Sequence, residues 1–582
     1  MSADAALAAV LRSPHDLAAR RAYAETKGCE PARRRIVEIE DALASKPKKR
    51  ADRLALADER ETLLARNGFA WDPQFAGVVH AEPVRGYSAV ELEFELGFLS
   101  HVSMRASVRE LGALTETSCY SLAMTLVEAE HFEALLASPL LPRLRRLSLH
   151  FAFDFDPERV LALLRSPKLG SLELLGLDNL VITPALAEAI ASQTELRSLS
   201  LGARPGTGSL AGTAAAPLST LKQLRSLSLS GQDLDGKLLG KLLDASFVPQ
   251  LERLAIRHHK LGARGCKLLG SANFGALREL DLSDSNVGAG GIEFAAAPKL
   301  ATLERLVLDG SKLGAKLLPA FLDKLDLPKL RALRLGGLRF KEAGAEAIAA
   351  SDAFERCGIV ELSLGGNAMG DDGAEALAGA EGLAKIRRLN LGHNGIRADG
   401  ILALADSPLL RGLELLDIRN NKIQTKGAIA LAGSVAAKTL RVIDIDHNWI
   451  GSKGAAALFG SEGLRALEVA RFGYDNNFED AGLDALAESD LRLRGLLVNG
   501  QGGPEGLRRF FASPAVERLV WLQAWSRADD QLVDALAAGD VAPQLHTLQL
   551  GTMGVSAARV DALSRRFAYS VQRGNRKLDE LE

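Results

Sequence analysis

A short aliphatic pattern repeats along most of the sequence, and this repeat constrains the fold more than any other feature. The pattern is L-x-x-L-x-L, in which any aliphatic residue can take a leucine position. Sixteen copies in register span (545 − 144)/15, or about 27 residues per step, and such a period is the signature of stacked structural units. The copies begin at Leu144, Leu169, Leu196, Leu224, Leu251, Leu277, Leu303, Leu330, Ile359, Ile386, Leu413, Leu440, Leu464, Leu493, Val516 and Leu545, with two weaker copies at Leu99 and Cys119.

Each copy predicts a strand followed by a helix. The second and third leucines alternate with other residues, as in a strand that buries one face. The second half of a copy has helix-forming residues with apolar positions at helical spacing, for example 371–378 (DDGAEALA) and 398–405 (ADGILALA). One such unit cannot close a core alone, so we expect neighbouring units to stack on one another.

Four copies carry an asparagine three residues after the last leucine and a glycine six residues further on. The asparagines are Asn367, Asn394, Asn421 and Asn448, and the glycines are Gly373, Gly400, Gly427 and Gly454. With these residues the sequence resembles the leucine-rich-repeat superfamily, specifically its ribonuclease-inhibitor-like subclass with long, helix-containing repeats. In other copies, Ser285, Ser311 and Phe472 take the asparagine position.

The resemblance implies an α/β leucine-rich-repeat solenoid. Its expected form is a curved horseshoe with a parallel sheet on the concave face and helices on the convex face. It also implies that each repeat asparagine bonds backbone groups at the bend after its strand, where groups that leave the ladder need partners.

The N-terminal segment predicts three short helices within residues 1–45, followed by a solvated basic linker (KPKKR) and another helix over 51–66. It resembles the short repeat-companion domain that precedes leucine-rich repeats in some bacteria with complex life cycles, although Glu25-Thr26 replaces the usual Asp-Trp. This resemblance implies a bacterial source and an N-terminal cap or adaptor without a catalytic role. Its carrying residues are Pro14, Asp16, Arg20, Tyr23, Ala24, Gly28, Pro31, Arg33, Trp71, Gly97 and Phe98.

These patterns predict four segments. Residues 1–45 form the helical companion-like domain, 46–95 a linker and helical cap, 96–556 the repeat array, and 557–582 a capping helix and tail. The last segment would cover the final apolar layer of the array.

Composition narrows the class of partner. The 71 lysines and arginines nearly balance 73 aspartates and glutamates, which removes the electrostatic argument for nucleic acid. No apolar run approaches the roughly 20 residues of a spanning helix. The four cysteines are widely spaced and form no CxxC pair, as expected for reduced thiols. We therefore expect a monomeric, cytoplasmic protein that binds neither nucleic acid nor membrane.

The residues between the two strand leucines should form a column on the concave face, with strands about 4.8 Å apart. Asp417, Asp444 and Glu468 fall in this column together with Asn390, while Arg419 and Asp446 fall in the adjacent column. Like charges opposed across strands cost stability, so the cluster needs a reason, and one reason is a binding site for a basic partner surface. The alternative is a charged face that only keeps the exposed sheet soluble.

Two tryptophans lie near the C-terminal end of the array. Trp521 takes an inward leucine position and is expected in the core. Trp525 is a candidate partner anchor, because aromatic residues often dominate interfaces, or a cover for the open end of the array.

Enzyme templates do not match the sequence. It lacks HExxH, GxSxG and Walker A patterns, and its carboxylates show no dedicated metal-ligand spacing. We predict no catalysis, no cofactor and no metal site. The expected function is a protein-interaction scaffold that binds an unknown protein on its concave face. The alternative is a regulator that acts in trans on an enzyme, as an inhibitor or a GTPase-activating-type scaffold.

Overall fold

The structure is a computed structural model that divides into two compact units. Unit 1 contains residues 1–203, 544–549 and 556–582, and unit 2 contains residues 204–543 and 550–555. The described residues are 2–71, 90–95, 98–105, 111–112, 114, 117–152, 155–203, 215–231, 234, 236–477, 479–498, 502–545, 547–551 and 554–567.

Unit 1 begins with four helices and continues with strands. Strands β1 and β2 are antiparallel, and β2 to β6 are parallel neighbours in chain order. Its elements are α1 (Ala3–Arg12), α2 (Leu17–Ala24), α3 (Pro31–Ala44), α4 (Arg50–Trp71), β1 (Val90–Glu95), β2 (Phe98–Arg105), β3 (Ser121–Val127), α5 (Ala129–Ala137), β4 (Arg146–Phe151), α6 (Pro157–Leu164), β5 (Leu174–Asp178), α7 (Pro184–Ala191) and β6 (Ser198–Gly202), with α22 (Ala557–Arg566) near the C-terminus.

The N-terminal helices are anchored to the first strands of unit 1 by buried arginines. Arg20 is fully buried and donates to the Glu95 carbonyl oxygen at 2.7 Å. The Arg33 guanidinium lies 4.2 Å from the centroid of the Phe98 ring, and Tyr23 meets the same ring edge-on at 5.6 Å. Burying a guanidinium is costly unless it is paired, so these contacts hold the helices in one position on the sheet.

The described residues of unit 2 include twelve parallel strands, β7 to β18, paired in chain order. This α/β strand-and-helix repeat confirms the solenoid predicted from the sequence. The strands are β7 (Ser226–Ser230), β8 (Arg253–Arg257), β9 (Glu279–Asp281), β10 (Arg305–Val307), β11 (Ala332–Arg334), β12 (Glu361–Ser363), β13 (Arg388–Asn390), β14 (Leu415–Asp417), β15 (Val442–Asp444), β16 (Val469–Phe472), β17 (Gly495–Val498) and β18 (Trp521–Arg527). Strand β19 (Thr547–Gly551) follows them in the chain.

Most helices of unit 2 follow a strand, and helices of consecutive repeats pack against one another. Two helices follow β11, and the first of them packs against the helix after β12. The helices are α8 (Ala215–Leu218), α9 (Gly236–Leu243), α10 (Gly262–Ser271), α11 (Gly290–Phe294), α12 (Gly314–Lys324), α13 (Lys341–Ala349), α14 (Ala353–Cys357), α15 (Gly370–Ala378), α16 (Ala398–Ala405), α17 (Gln424–Gly433), α18 (Gly451–Phe459), α19 (Asp480–Ala487), α20 (Pro504–Phe511) and α21 (Asp530–Ala538).

The core lies between the sheet and the helices of each repeat. In the repeat of β12, Leu362 and Leu364 are buried together with Ala374 and Leu377 of α15. Gly373 of α15 lies in close contact with the preceding turn. A Cβ at this position would lie 2.7 Å from the Met369 side chain. The repeated glycine therefore permits a close approach of backbone and side chain that any larger residue would obstruct.

A ladder of buried asparagines closes the strand ends of adjacent repeats. Asn421 donates from Nδ2 to the carbonyl oxygens of Ile418 (2.9 Å) and Leu391 (3.0 Å). Its Oδ1 accepts from the backbone N–H groups of Asn394 and Ile396. Related bonds are made by Asn367, Asn394 and Asn448, and also by Asn476. Each amide thus satisfies backbone groups that the turning chain removes from the sheet.

The strand register confirms both weak copies but corrects three of the sixteen. Leu122 pairs with Leu147, and Val102 pairs with Leu122, as their copies predict. Three copies are displaced by three residues. Their correct leucine positions are Leu172-Leu175-Leu177, Leu467-Ala470-Phe472 and Leu519-Leu522-Ala524.

The displacement has a simple cause. Many copies are preceded by another aliphatic residue three positions earlier, so the pattern can be read in two registers. Ala470 and Ala524 weaken the correct one. The face residues therefore change, with Gly176, Arg471 and Gln523 replacing Glu173, Glu468 and Val520. Phe472 is an inward core residue, and Asn476 takes the asparagine position of its repeat. Trp521 leaves the inward position.

We expect Asn421→Ala to lower the free energy of unfolding by about 2–4 kcal/mol, because it leaves several buried backbone groups without partners. Urea denaturation followed by circular dichroism measures this change. Asn273→Ala is the matched control, since Asn273 is exposed, and we expect it to change stability by less than about 0.5 kcal/mol. Equal effects of the two substitutions would contradict a structural role for the ladder.

Candidate functional site

The predicted site lies on the face of the unit 2 sheet opposite the helices, which we call the open sheet face. Asn390, Asp417, Asp444 and Arg471 are register neighbours on strands β13 to β16. Alternation places them on the opposite side from the buried residues Leu416 and Ile443. The structure therefore brings Asn390, Asp417 and Asp444 together as predicted.

The side chains of the column residues accept hydrogen bonds from the backbone of the turns that follow them. Oδ1 of Asp417 accepts from the N–H of Arg419 at 3.1 Å, and Oδ1 of Asp444 accepts from the N–H of Asp446 at 3.2 Å. Asn390 accepts in the same way from Gly392 at 2.9 Å. Such a bond to the backbone two residues ahead is the usual way in which Asp and Asn stabilise a turn. Part of the acidic character of this face is therefore structural.

Arg419 covers the two aspartates of the column. Its Nη2 and Nε lie 2.5 and 2.9 Å from Oδ2 of Asp417, whereas its Nη1 lies 3.7 Å from Oδ2 of Asp444. Asp417 is only 2% exposed and Asp444 is fully buried. The predicted acidic surface is thus largely sealed by an arginine, and the cluster does not present Asp417 or Asp444 directly to solvent.

Asp444 is the least satisfied carboxylate of the cluster. No described residue donates a hydrogen bond to its Oδ2. Burial, and then the charges of Asp417 and Asp446, raise the pKa of Asp444 to about 7, although Arg419 and Arg471 oppose the shift. When all five groups are ionised, three carboxylates face two guanidiniums. The cluster then holds one negative charge in excess, in a place where water screens it poorly.

Asp446 occupies the next column and is partly buried. Burial raises its pKa, while the N–H of Gly473, which donates to its carboxylate, and the charge of Arg471 act in the opposite direction. Asp446 thereby links two consecutive repeats. The geometry suits it to hold a strand end in place and to add charge beside Asp444.

Glu468 lies outside the column in which the sequence placed it. The register sets Arg471 beside Asp444, so the predicted position was wrong by three residues. Glu468 instead accepts from Arg441 Nη1 at 2.7 Å, as part of an arginine–glutamate row before the strands. The face is therefore less acidic than predicted. The Arg471 guanidinium lies 5.7 Å from the centroid of the Trp521 ring. Trp525 belongs to β18, but its side chain lies outside the described residues.

The loops after β15 and β16 carry exposed aromatic residues that the sequence reading missed. Trp449 is 48% exposed and Tyr474 is 41% exposed. The ring of His447 stacks on that of Tyr474 with centroids 5.3 Å apart, and Nδ1 of His447 lies 2.8 Å from a carboxylate oxygen of Asp475. We call His447, Trp449, Tyr474 and Asp475 the aromatic loop surface.

The backbone of this surface is unusual for its side chains. Trp449 has a φ of 56°, in the left-handed region. The corresponding residues of the three preceding repeats are Ala368 and Gly395, which are also left-handed, and Lys422, which is not. A left-handed conformation costs a residue with a side chain about 1–2 kcal/mol, so tryptophan is a poor choice for folding alone. Tyr474 reaches His447 because its loop has one more residue between Phe472 and Asn476 than the preceding loop has before Asn448.

Two signals in the sequence could have revealed these residues. The predicted copy starts at Leu440, Leu464, Leu493 and Val516 give uneven steps of 24, 29 and 23 residues. The corrected positions Ile443, Ala470, Leu496 and Leu522 give even steps of 27, 26 and 26. The second signal was a tryptophan directly after a repeat asparagine, where the other three copies have Ala368, Gly395 and Lys422.

Other candidate sites have simpler roles. Among the described residues, Glu128, Glu130 and His131 could together hold a metal ion. Glu128 and His131, however, form the capping box that begins α5, which accounts for their proximity. A search of the described helices finds none with the length and hydropathy needed to span a membrane.

Comparison with known proteins agrees with the repeat geometry. Residues 359–378, 382–405, 413–432 and 436–459 match a family model described as Leucine Rich repeat. The chain carries leucine-rich repeats. The matched repeats include Asn390, Asp417 and Asp444 of the open sheet face. No curated protein matches the sequence.

Two of the solved structures that are similar to this chain illustrate the likeness, both at low scores. One is the complex of Rad7 and Elc1 in yeast, with a TM-score of 0.34, 13% identity, and coverage of 59% of this chain and 83% of that chain. The other is an internalin (inlF) from Listeria monocytogenes, with a TM-score of 0.29, 17% identity, and coverage of 60% and 81%. The fold assignment rests on the strand register and the matched repeats rather than on these structures.

We expect Asp444→Asn to raise the melting temperature at about pH 8 and to change it less at about pH 5. The pKa of Asp444 is about 7 in the folded protein and about 3.9 in an unfolded chain. Between these values the folded state holds a proton that the unfolded state has lost. Stability from this group therefore falls as pH rises from about 4 to 7 and stays low above that.

Thermal unfolding of both proteins across this pH range measures the effect, with roughly 2–4 °C expected for each kcal/mol of penalty removed. Asp281→Asn is the matched control, because Asp281 holds the same column position but pairs with Arg257 at 2.7 Å. We expect this control to melt at a lower temperature at both pH values. An Asp444→Asn protein less stable than wild type at pH 8 would show that the carboxylate is well accommodated.

Proposed function

We propose that this protein is a non-catalytic scaffold that binds a protein partner on the open sheet face of unit 2. The observation that carries the proposal is the incomplete charge cluster of Asp417, Asp444 and Asp446 around Arg419. One guanidinium lies against two buried carboxylates, and Oδ2 of Asp444 accepts no hydrogen bond from a described residue. A basic side chain from a partner would supply the missing donor and offset the surplus charge.

Access to Asp444 depends on Arg419. The Arg419 side chain is 40% exposed, so it can move outward without unfolding the strand. A partner arginine or lysine that displaced it would reach Asp444, while Asn390 and Asp446 lie beside the opening as additional polar contacts. Glu468, with Arg441, and Trp525 remain proposed contributors at the rim of the face.

The size of the face suits a protein partner. Twelve parallel strands spaced by about 4.8 Å give a surface about 50 Å across. Repeat arrays of this type bind through many modest contacts, with a few residues dominating the affinity. The helices that follow the strands and the steps of 26 to 29 residues between the strands of unit 2 support a ribonuclease-inhibitor-like subclass. We also propose that residues 1–45 serve as a companion-like cap, in a monomeric, cytoplasmic, bacterial protein that needs no cofactor.

A second candidate function is regulation of an enzyme in trans, as an inhibitor or a GTPase-activating-type scaffold. It uses the same open sheet face but predicts a different readout. If the captured partner is an enzyme, addition of the purified chain should change its turnover. A passive scaffold should bind the same partner and leave its turnover unchanged.

We expect Asn390→Arg to abolish capture of a salt-sensitive partner. The new guanidinium would lie beside Asp417 and fill the position that the partner's cation needs. Immobilised full-length protein, lysate at low and high salt, and identification of bound proteins by mass spectrometry test this.

Two controls locate the effect. Ala255→Arg adds the same charge to the same column on β8, away from Asp417, and Glu375→Arg adds positive charge on α15 at an exposed position of the helix side. We expect both variants to retain the partner. Loss with Glu375→Arg but not with Asn390→Arg would overturn the proposal and place the interface on the helices.

A further inference from the structure

We propose that the aromatic loop surface binds a basic peptide segment, with arginine or lysine side chains against Trp449 and Tyr474 and paired with Asp475. The inference rests on the proposed function, because the segment would belong to the partner held by the scaffold. It adds a second contact area, on the loops that follow β15 and β16, and it states the chemistry of the partner that fits there.

The fold exposes two aromatic rings and positions the loops that carry them. Trp449 and Tyr474 are both more than two-fifths exposed, and they follow adjacent strands of the same sheet. Tyr474 is held against His447, whose imidazole in turn contacts Asp475. Adjacent backbone bonds fix both loops, since the N–H of His447 donates to the Tyr474 carbonyl oxygen and the N–H of Trp449 donates to the Asp475 carbonyl oxygen. The rings are therefore positioned before a partner arrives, which lowers the entropy cost of binding.

The fold of the repeat does not require a tryptophan here. The same position holds Ala368, Gly395 and Lys422 in the three preceding repeats, and glycine adopts the left-handed backbone of Trp449 without strain. Large exposed aromatic residues in strained positions are more useful to an interface than to a core. An aromatic side chain held outward at this point adds contact area without adding to the core of the repeat.

The aromatic loop surface attracts cations. The chain already places its own cation against the ring, because Nζ of Lys422 lies 5.9 Å from the Trp449 centroid. An aromatic face attracts cations through its negative quadrupole, and guanidinium groups stack on it especially well. Asp475 is 60% exposed and lies beside His447, so it offers a carboxylate to the same incoming group. Asp446 directly precedes His447 in the chain and adds a partly buried carboxylate nearby.

The positive groups nearby do not reverse this preference. Arg419 is engaged with Asp417, while His447 is engaged with Asp475 and Tyr474. Lys422 is exposed, and a guanidinium from the partner can take its place at the ring. An acidic segment would meet Asp475 at the outer edge of the surface. The arrangement therefore favours a basic segment over an acidic one.

The test uses the full-length protein and a short fluorescein-labelled peptide of alternating glycine and arginine, with binding followed by fluorescence anisotropy at low salt. Matched peptides replace arginine by its neutral isostere citrulline or by glutamate. We expect the arginine peptide to bind more tightly than either. Trp449→Gly should weaken it by about 2- to 30-fold, the range of a cation–π contact, while Trp449→Phe retains most of the affinity.

Stability separates a lost contact from a damaged fold. Trp449→Gly relieves the left-handed strain, so its melting temperature should not fall below that of wild type. Lys422→Met should strengthen binding of the arginine peptide, because it frees the ring. Lys426→Met removes the same charge from the same repeat, where Lys426 pairs with Asp399, and should strengthen binding less.

Several outcomes would overturn the inference. They are equal affinity of wild type and a folded Trp449→Gly protein, equal affinity of the arginine and citrulline peptides, preference for the glutamate peptide, and identical effects of the two lysine substitutions. These outcomes are distinct from failure of the scaffold proposal. If Asn390→Arg loses the partner but the wild-type protein does not bind the arginine peptide, the proposal for the open sheet face stands and only the proposal for the loop surface fails. If the peptide binds through Trp449 but Asn390→Arg still captures the partner, the loop surface binds basic peptides and the proposal for the open sheet face fails.

Discussion

The three-residue parallel strands of this protein depend on hydrogen bonds to the backbone groups directly after each strand. The buried asparagine at the strand end does this work for two repeats together, since Asn421 donates to Leu391 and Ile418 and accepts from Asn394 and Ile396. Unsatisfied backbone groups at this depth would cost more than the short ladder gains. The repeat interface therefore depends on the amide as much as on the leucines, and the loops beyond it inherit a defined position.

This defined position explains the chemistry of the open sheet face. Turns held in register place polar column residues side by side, so Asp417 and Asp444 must coexist within one strand spacing. The Asp417 carboxylate lies at hydrogen-bond distance from the Arg419 guanidinium, whereas Asp444 accepts a single backbone hydrogen bond and lies 3.7 Å from the same guanidinium. Burial then makes the difference large enough to raise the pKa of Asp444 to about 7. The unfavourable electrostatic energy of Asp444 therefore has two causes. The repeat places it beside Asp417, and no described residue donates a hydrogen bond to its Oδ2.

The same geometry gives the loops their functional potential. The ends of adjacent strands are bonded to one another, so exposed groups on consecutive loops keep their spacing without a core beneath them. One inserted residue before Asn476 is sufficient to bring Tyr474 against His447. A surface that combines two aromatic rings with an exposed carboxylate is suited to bind cations. Because it follows strands of the open sheet face, one partner could contact both surfaces.

The sequence by itself determined the repeat, its strand-then-helix order, and the convergence of Asn390, Asp417 and Asp444, because alternation and a fixed step are local properties of the chain. It did not determine the register where aliphatic residues recur every three positions, so Glu468 was placed where Arg471 lies. Burial and pairing were also beyond it: Arg419 seals two aspartates that a column pattern leaves open. Those outcomes depend on the contacts that long side chains and loop ends make with neighbouring repeats, and only the tertiary structure decides these contacts.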